Sequence, residues 1–355
     1  MDDRVSRREC LTRCLTLAGG ALVAGVPAHD AFAGKEAMRP PAGRGRRVNS
    51  VLGPIAPDRL GLTLMHEHVL VDFIGAGQVS ASRYDADAVF TRVLPHLRQL
   101  RTRGGATLVE CTPAYLGRDP RLLRRLAEAS GLNILTNTGY YGANQDKHLP
   151  PHAFTETAEQ LAARWVHEWE HGIDDSGIKP AFVKIGVDPG PLSAVDAKLV
   201  RAAALTHKAT GLPIAAHGGS GVAAFEELDL VEHMGMPLHA FVWVHAHAEK
   251  DGSLHVRAAK RGAWVEFDGL SDQSLETHAT LVSRMNEAGL LDRVLVSHDA
   301  GWYHVGEPDG GQFRPFDTLF TKFVPALKAG GWSEADVRRL LVDNPRRALT
   351  GAASA

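Results

Sequence analysis

A repeated alternation of short apolar segments with amphipathic segments constrains the fold more than any other feature of this sequence. It begins near residue 50 and continues to the end of the chain. In the first amphipathic segment, residues 86–103, Val89, Val93 and Leu97 recur at the spacing of one helix face. Eight strand–helix units predict parallel strands joined by helical crossovers, and they favour an α/β fold of the (β/α)8 TIM barrel type over an open sheet.

Turn-forming residues separate the predicted segments, as Gly104 and Gly105 do before the second strand. The predicted strands cover residues 62–73, 106–112, 133–141, 182–187, 213–217, 238–247, 263–270 and 293–299. The predicted helices cover residues 86–103, 120–129, 155–171, 195–210, 222–234, 253–261, 274–288, 316–329 and 334–349. No P-loop and no G-x-G-x-x-G pattern follows the first strand, so nothing predicts a nucleotide-binding domain.

The first 33 residues have the features of a twin-arginine export signal. Arg7 and Arg8 precede a moderately apolar stretch, residues 15–26, and residues 31–33 form an Ala-Phe-Ala cleavage pattern. The apolar stretch is too short and too rich in glycine to be a stable membrane anchor. A disordered basic N-terminus is the alternative. We predict export by the twin-arginine machinery to the periplasm or the exterior, a linker over residues 34–49 and a single barrel over residues 50–355.

Charge and cysteine content exclude several classes of protein. The chain has 355 residues and a formal net charge of −2, so no electrostatic feature predicts binding to nucleic acid. Of its three cysteines, Cys10 and Cys14 lie in the predicted signal, and only Cys111 remains for the barrel. A disulfide framework is therefore excluded in a monomer.

Side chains with metal-binding chemistry recur at the ends of the predicted strands. His66 and His68 on the first strand point to one side, while Glu67 points to the other. Alone, this pair is equally well two ordinary histidines at a strand end. In a TIM barrel, however, the C-terminal strand ends meet around one mouth, where the active site lies. The other strand-end side chains are Lys184, His217, His245, His247, His298 and Asp299.

Lys184 is the unusual member of this set, because it lies in an apolar strand between Val183 and Ile185. Burial disfavours the charged ammonium, and a neutral amine can react with carbon dioxide to form a carbamate. A carbamate behaves as a carboxylate and can bridge two cations. The alternative is an ion pair with a buried acid such as Glu110, but the strand-end histidines and aspartate favour the bridge.

The same motifs resemble those of the phosphotriesterase family of the amidohydrolase superfamily, over nearly all of residues 50–350. They are Met65-His66-Glu67-His68, residues 170–179 leading to Lys184, Ala216-His217, Arg261-Gly262 with Phe267-Asp268, and Ser297-His298-Asp299. The resemblance implies a (β/α)8 barrel with a binuclear centre of the zinc type.

Two divalent metal ions are therefore expected, with Zn²⁺ as the first choice and Mn²⁺, Co²⁺ or Fe²⁺ as alternatives. By resemblance, the buried ion would be held by His66, His68 and Asp299, the exposed ion by His217 and His245, and both would be bridged by N6-carboxylated Lys184 and a hydroxide.

The sixth strand offers two candidate ligands, His245 and His247. The family's spacing, counted back from Arg261, indicates His245, and His247 would then contact substrate or support the site. Aspartates are usual in the family after this histidine, but residues 248–251 here are Ala-Glu-Lys-Asp. The contacts made by this loop are therefore not predicted.

The resemblance also implies a mechanism. The two ions would lower the pKa of a shared water, so that hydroxide is available at neutral pH. One ion would polarise a phosphoryl or carbonyl oxygen of the substrate, and the hydroxide would attack the phosphorus or carbon atom that carries it. Asp299 would take the proton, and His298 and Asp268 are candidates for passing it outward. A purely structural role is nearly as well supported for Asp268.

Aromatic residues near the strand ends suggest a substrate pocket. Tyr141, Trp302 and Tyr303, together with His247, are predicted to line it, and residues 300–315 are predicted to form one long loop over it. Ordinary packing within the barrel is the alternative for these aromatic side chains.

We therefore predict an exported, metal-dependent hydrolase whose partner is a small-molecule ester: a phosphoester, a lactone or a carboxylic ester. One alternative is an amide-cleaving amidohydrolase, and another is a metal-binding barrel without turnover. Related barrels commonly form homodimers, but no exposed stripe in this sequence predicts an interface.

Overall fold

The computed structural model describes residues 47–351. The predicted export signal and nearly all of the predicted linker lie outside these residues, so both stay predictions. Within residues 47–351, no helix is both long enough and apolar enough to cross a membrane.

Eight parallel strands follow one another along the described chain. They are β1 (Thr63–Val71), β2 (Thr107–Glu110), β3 (Asn133–Leu135 and Asn137–Thr138), β4 (Phe182–Gly186), β5 (Ile214–His217), β6 (Phe241–Val244), β7 (Trp264–Phe267) and β8 (Val294–Val296 and Ala300–His304). Each strand is hydrogen-bonded to the next in sequence, and β8 pairs in turn with β1. The predicted α/β barrel of parallel strands is confirmed.

Two strands are interrupted. The first half of β3 pairs with β2 and its second half with β4. In the same way, β8 pairs first with β7 and then, after an interruption over residues 297–299, with β1. A main-chain hydrogen bond of 3.0 Å from Asp299 N to His66 O crosses this interruption. Asp299 therefore lies at the seam where the last strand meets the first.

The outer layer consists of helices that pack their apolar faces on the strands. They are α1 (Ala86–Thr102), α2 (Pro120–Ser130), α3 (Ala158–His171), α4 (Ala194–Thr210), α5 (Gly221–His233), α6 (Gly252–Arg261) and α7 (Leu275–Glu287), followed by Val324–Ala329, Glu334–Arg338 and Asn344–Thr350. The helix predicted over residues 155–171 is two helices, Pro151–Thr155 and α3, because Thr157 and Gln160 cap α3 reciprocally. The last two predicted helices contain π-helical turns before Pro325 and Pro345, which cannot donate an α-helical hydrogen bond.

The prediction of one long loop over residues 300–315 is wrong. Ala300–His304 is the second half of β8, and Gly301 also forms an antiparallel bridge with Arg314. A side chain at Gly301 is excluded, because its Cβ would lie 1.8 Å from the carbonyl oxygen of His68. The strand was missed because Trp302 and Asp299 have positive φ angles, 73° and 51°, which interrupt the regular alternation of side chains.

Apolar side chains fill the N-terminal end of the barrel interior. Met65, Phe182 and Trp264 belong to this cluster, and the N-terminal hairpin (residues 48–55) and Leu349 pack against it. Only the C-terminal ends of the strands therefore remain available for a site.

Candidate metal centre

Strand β1 places two histidines on the interior face of the barrel. All nine residues of Thr63–Val71 are buried. The Nε2 atoms of His66 and His68 lie 3.8 Å and 3.1 Å from Oδ1 of Asp299, an oxygen that is buried and makes no hydrogen bond. Ligand atoms of these three residues all lie within 4.8 Å of one another. This spacing suits the coordination of one metal ion.

Glu67 holds the segment that carries Asp299. Its side chain is fully buried and points away from His66 and His68, toward β8. Its Oε1 accepts hydrogen bonds from Ser297 Oγ at 2.8 Å, from the His298 amide at 3.1 Å and from His298 Nδ1 at 2.7 Å. Its Oε2 accepts from the Ala300 amide at 2.9 Å. One carboxylate thus fixes both sides of Asp299, whose backbone is in the left-handed region.

We expect Glu67→Gln to lower the free energy of unfolding by about 2–4 kcal/mol. The glutamine NH2 group would replace one carboxylate oxygen, so at least one of the buried donors that Glu67 now satisfies would lose its acceptor. Chemical denaturation measures the loss, and elemental analysis should show weaker metal retention in the same variant. Glu287→Gln, at an exposed carboxyl at the end of α7, is the matched control. Equal stability of the two variants would mean that the Glu67 contacts do not support the seam.

A second group of ligand-type side chains lies beside the first. The ring centroids of His217, at the end of β5, and His245, just after β6, are 4.4 Å apart. The ring of His245 is also 4.9 Å from that of His66. Lys184 on β4 lies opposite Ala215 of β5, and its charge acts on both His66 and His217. The predicted ligands of both metal ions therefore meet inside one barrel mouth.

Lys184 has no partner of its own among residues 47–351. Only 2% of its surface is exposed, yet its Nζ forms neither a hydrogen bond nor an ion pair. Glu110, the alternative partner considered from the sequence, instead accepts hydrogen bonds from Thr112 Oγ1 at 2.6 Å and from the Val69 amide at 3.2 Å. The interpretation of Lys184 and Glu110 as an ion pair is therefore wrong.

Asp268, directly after β7, positions histidines from both groups. Its buried carboxylate accepts a hydrogen bond from His245 Nδ1 at 2.9 Å, and its other oxygen lies 2.9 Å from His66 Nδ1. His247 Nδ1 lies 3.1 Å from the same carboxylate. A histidine held at Nδ1 presents Nε2 to a metal. His66, His245 and Asp268 also have ligand spacing among themselves, but the contacts at Nδ1 favour an orienting role for Asp268.

His68 is oriented by a hydroxyl that sequence reasoning missed. Its Nδ1 lies 2.8 Å from Thr112 Oγ1, which donates in turn to Glu110 Oε1. The Leu70 carbonyl oxygen, 3.1 Å from Thr112 Oγ1, is a second acceptor for the hydroxyl proton, and with the proton on either acceptor the Thr112 oxygen can accept from Nδ1–H of His68. Its other ring nitrogen, Nε2, faces Asp299. No spacing motif in the sequence links residues 68 and 112, so only their positions on adjacent strands reveal the pair.

The pKa values of three predicted ligands shift toward the forms that bind metal, whereas for His245 the lowering by burial is outweighed by contact with Asp268 and its pKa is raised. Burial, helped by the charge of Lys184, lowers the pKa of His66 to about 3. Burial and neighbouring positive charges hold the pKa of His217 well below its usual value. Burial alone would raise the pKa of Asp299, but its contact with His68 and other nearby charges keep it lowered. Neutral imidazoles and an ionised carboxylate are the forms that ligate metal ions.

Two predicted site residues face away from the barrel mouth. His298 uses Nδ1 toward Glu67, and its Nε2 accepts a hydrogen bond of 3.0 Å from the Leu319 amide, so neither nitrogen is available to Asp299. Tyr303 packs against Gly310, where a Cβ would lie 2.3 Å from its ring. The structure therefore contradicts a proton-relay role for His298 and a pocket role for Tyr303.

The other predicted pocket residues lie at the mouth. The Trp302 ring is 4.5 Å from that of His68 and stacks on Phe73 at 5.6 Å. The hydroxyl of Tyr141 lies 3.0 Å from His217 Nε2. These rings cover the histidines from the solvent side, and His247 lies at the edge next to Asp268.

A polar cavity of about 710 Å³ adjoins the mouth. Arg314 belongs to its wall and donates a hydrogen bond of 2.9 Å to the carbonyl oxygen of Asp299, which links the cavity to the metal-ligand group. The wall consists of Leu270, Ser271, Asp272, Gln273, His304, Glu307, Gln312, Arg314, Pro315, Asp317, Thr318, Thr321 and Lys322. No predicted metal ligand is among them.

Fold and site together define a class, the barrels that gather histidines and carboxylates for metal binding at the C-terminal ends of their strands. The chain belongs to the phosphotriesterase family, whose model matches residues 46–349. It is accordingly a hydrolase of that family.

Relatives of this chain cover almost the whole barrel. The phosphotriesterase homology protein of Escherichia coli (strain K12) is 31% identical over 292 residues, which is 81% of this chain and 97% of that protein. N-acetyltaurine hydrolase of Xenopus tropicalis is 25% identical over 347 residues, with 86% and 98% covered. The solved structure of the organophosphorus hydrolase from Deinococcus radiodurans gives a TM-score of 0.78 at 26% identity, covering 87% of this chain and 98% of that one. Hydrolases of different substrates are thus among the relatives.

Proposed function

We propose that this chain is a binuclear metal-dependent hydrolase that cleaves a phosphoester, a lactone or a carboxylic ester. The observation that carries the proposal is the meeting of His66, His68 and Asp299 at ligand distance, next to a buried Lys184 without a partner. A protein interior does not keep such a set of unpaired polar groups without a compensating partner.

The donor set fits two ions with a shared ligand. The first ion would be held by His66, His68 and Asp299, the second by His217 and His245, and N6-carboxylated Lys184 would be a ligand shared by both. Bound there, the ions would supply hydroxide from a shared water at neutral pH and polarise an oxygen of the substrate. Zn²⁺ is the proposed ion, and Mn²⁺, Co²⁺ or Fe²⁺ suit the same imidazole and carboxylate ligands.

The side chains of the protein have separable tasks in this proposal. The pKa of Asp299 is lowered, so its ionised carboxylate is the proton acceptor in this proposal. Asp268 keeps His66 and His245 in orientation rather than carrying a proton. Trp302 and Phe73 shield the mouth from water.

Amide cleavage is the second candidate function. It is favoured by the similarity to N-acetyltaurine hydrolase, whose name specifies an amide substrate. The polar wall of the adjoining cavity, with Arg314 next to Asp299, supports a substrate that carries a polar or charged group. Export through the twin-arginine route and a homodimer remain proposals for the full chain.

The test combines elemental analysis with a turnover panel on one sample of the protein. The panel holds an aryl phosphotriester, an aryl ester, several lactones and N-acetyltaurine. We expect about two divalent ions per chain, with activity that a chelator removes and Zn²⁺ or Mn²⁺ restores.

The panel separates the candidates. If N-acetyltaurine is turned over faster than every ester, amide cleavage replaces ester cleavage as the proposed function. Less than one ion per chain after metal loading, with no turnover of any compound, would contradict a hydrolase and leave a binding barrel.

A further inference from the structure

Eight ring-bearing side chains form a closed circuit at the mouth of the barrel, with neighbouring ring centroids between 4.4 and 6.0 Å apart. In order around the circuit they are His66, His68, Trp302, Phe73, His148, Tyr141, His217 and His245. The four histidines other than His148 are predicted metal ligands. The remaining members form the opposite half of the circuit, and His148 is neither a predicted ligand nor a predicted pocket residue.

The polar side-chain atoms of this opposite half have partners within the protein, with one exception. Trp302 Nε1 donates a hydrogen bond of 2.8 Å to the carbonyl oxygen of Asp299, and the Tyr141 hydroxyl lies 3.0 Å from His217 Nε2. His148 is 0% exposed, and among residues 47–351 its Nδ1 has no hydrogen-bond partner. A buried polar atom of this kind is costly unless a partner from outside the chain reaches it.

The contacts of His148 make Nδ1 a hydrogen-bond donor. Asn144 Nδ2 lies 3.4 Å from Nε2 of the ring, and an amide nitrogen donates, so Nε2 must supply a lone pair. Burial and the positive charge of Lys147 lower the pKa of His148, so the ring is neutral at pH 7. A neutral imidazole carries one ring N–H proton, which therefore lies on Nδ1.

The loop that carries His148 has a strained backbone. Three consecutive residues, Asn144, Gln145 and Asp146, have φ angles of 65°, 57° and 60°, in the left-handed region that side chains disfavour. The carboxylate of Asp188, in the loop after β4, accepts hydrogen bonds from the amides of Asn144 at 2.9 Å and Gln145 at 3.2 Å. Strain of this kind persists only where other contacts fix it, and it concentrates at functional sites. His148 is the side chain that this loop contributes to the circuit.

We propose that His148 binds substrate in the hydrolase proposed above, and that its Nδ1–H donates a hydrogen bond to an acceptor oxygen of the substrate. The proposal rests on that function, because half of the circuit consists of the predicted metal ligands. Phe73 and Trp302, stacked at 5.6 Å, contact an apolar group of the substrate. A charged group is costly among aromatic rings, so this half of the mouth favours an uncharged ester, lactone or phosphotriester that carries an apolar group and an acceptor oxygen.

The test compares kcat and KM of the wild type with those of three variants, on the uncharged compounds of the panel and with every protein saturated with Zn²⁺. His148→Phe and His148→Leu remove the donor, so we expect KM to rise by about tenfold and kcat to change by less than about threefold. His148→Asn has nearly the shape of His148→Leu but keeps an N–H near the position of Nδ1, so its KM should lie within about threefold of the wild-type value. His233→Phe, at an exposed histidine at the end of α5, is the control and should behave as the wild type.

The variants separate a substrate contact from a structural role. An unchanged KM in His148→Phe and His148→Leu would overturn the proposal, since Nδ1 would then bind no more than a water molecule. A rise of KM in His148→Asn equal to that in His148→Leu, or a loss of Zn²⁺ from all three variants, would also overturn it and make His148 a structural residue. A lower KM for N-acetyltaurine than for every uncharged compound would overturn the substrate class.

Failure of the contact and failure of the hydrolase give different results. Turnover by the wild type with the same KM in the His148 variants removes the contact and leaves the hydrolase standing. Absence of turnover by the Zn²⁺-loaded wild type on every compound would overturn both.

Discussion

Replacing Lys184 by methionine is expected to empty the metal centre while leaving the barrel folded. Methionine has nearly the same length and volume, and the lysine it replaces is 2% exposed and without an ion pair among residues 47–351. With both proteins free of metal, removing a buried amine that has no partner should not destabilise the fold, so the Tm measured without metal should stay equal or rise. The ligand that we propose both ions share is lost, however, and we expect metal content to fall below one ion per chain and kcat/KM to fall by about 10³ or more.

Elemental analysis, thermal unfolding and turnover on the same preparation check this expectation. Lys179→Met, at an exposed lysine shortly before β4, is the matched control and should keep both ions. Recovery of the metal-free wild type should also speed up with added bicarbonate, which supplies the carbon dioxide for the carbamate, whereas Lys184→Met should not respond. Two retained ions and full activity in Lys184→Met would remove Lys184 from the site.

The second large effect is expected for Asp299→Asn. Asparagine has the same shape and tolerates the left-handed backbone of this position, where φ is 51°. Its amide can still occupy the space beside His68, but it cannot take a proton. We expect kcat to fall by about 10²–10⁴, accompanied by weaker binding of one of the two ions.

Asp309→Asn is the control for placing asparagine at a left-handed backbone position. Asp309 has a φ of 52°, close to that of Asp299, but it lies in the short helix Pro308–Gly310, away from the predicted ligands. Steady-state kinetics on metal-saturated protein measure the loss of kcat apart from the loss of metal. An Asp299→Asn variant that keeps its kcat once saturated would show that the proton goes to another group.

The meeting of the predicted metal ligands in one barrel mouth could be predicted from the sequence because it depends on simple rules. Alternation on a strand gives His66 and His68 one direction, and the barrel brings His217 and His245 to the same mouth. The arrangement around Asp299 did not follow such a rule. Left-handed residues at 299 and 302 break the alternation, so that His298 and Tyr303 point outward and a strand was read as a loop.

The supporting side chains were beyond sequence reasoning for a different reason. Glu67 faces away from the ligands on either side of it, yet it holds the chain around Asp299 through contacts with residues 230 or more positions away. Thr112 and His68 are likewise paired only by the neighbouring positions of β1 and β2. Such contacts are set by strand register, and periodicity in a single sequence does not specify register between distant segments.

The seam between β8 and β1 also determines when, during synthesis of the chain, the barrel can close. His66 and His68 are made early in synthesis, whereas Asp299 and the residues that Glu67 must hold are made last. Until residue 300 has left the ribosome, the chain has histidines but no complete ligand set and no closed barrel. If the proposed centre forms, its ligand set is complete only when the ring closes, and a truncated chain that lacks β8 should hold neither ion firmly.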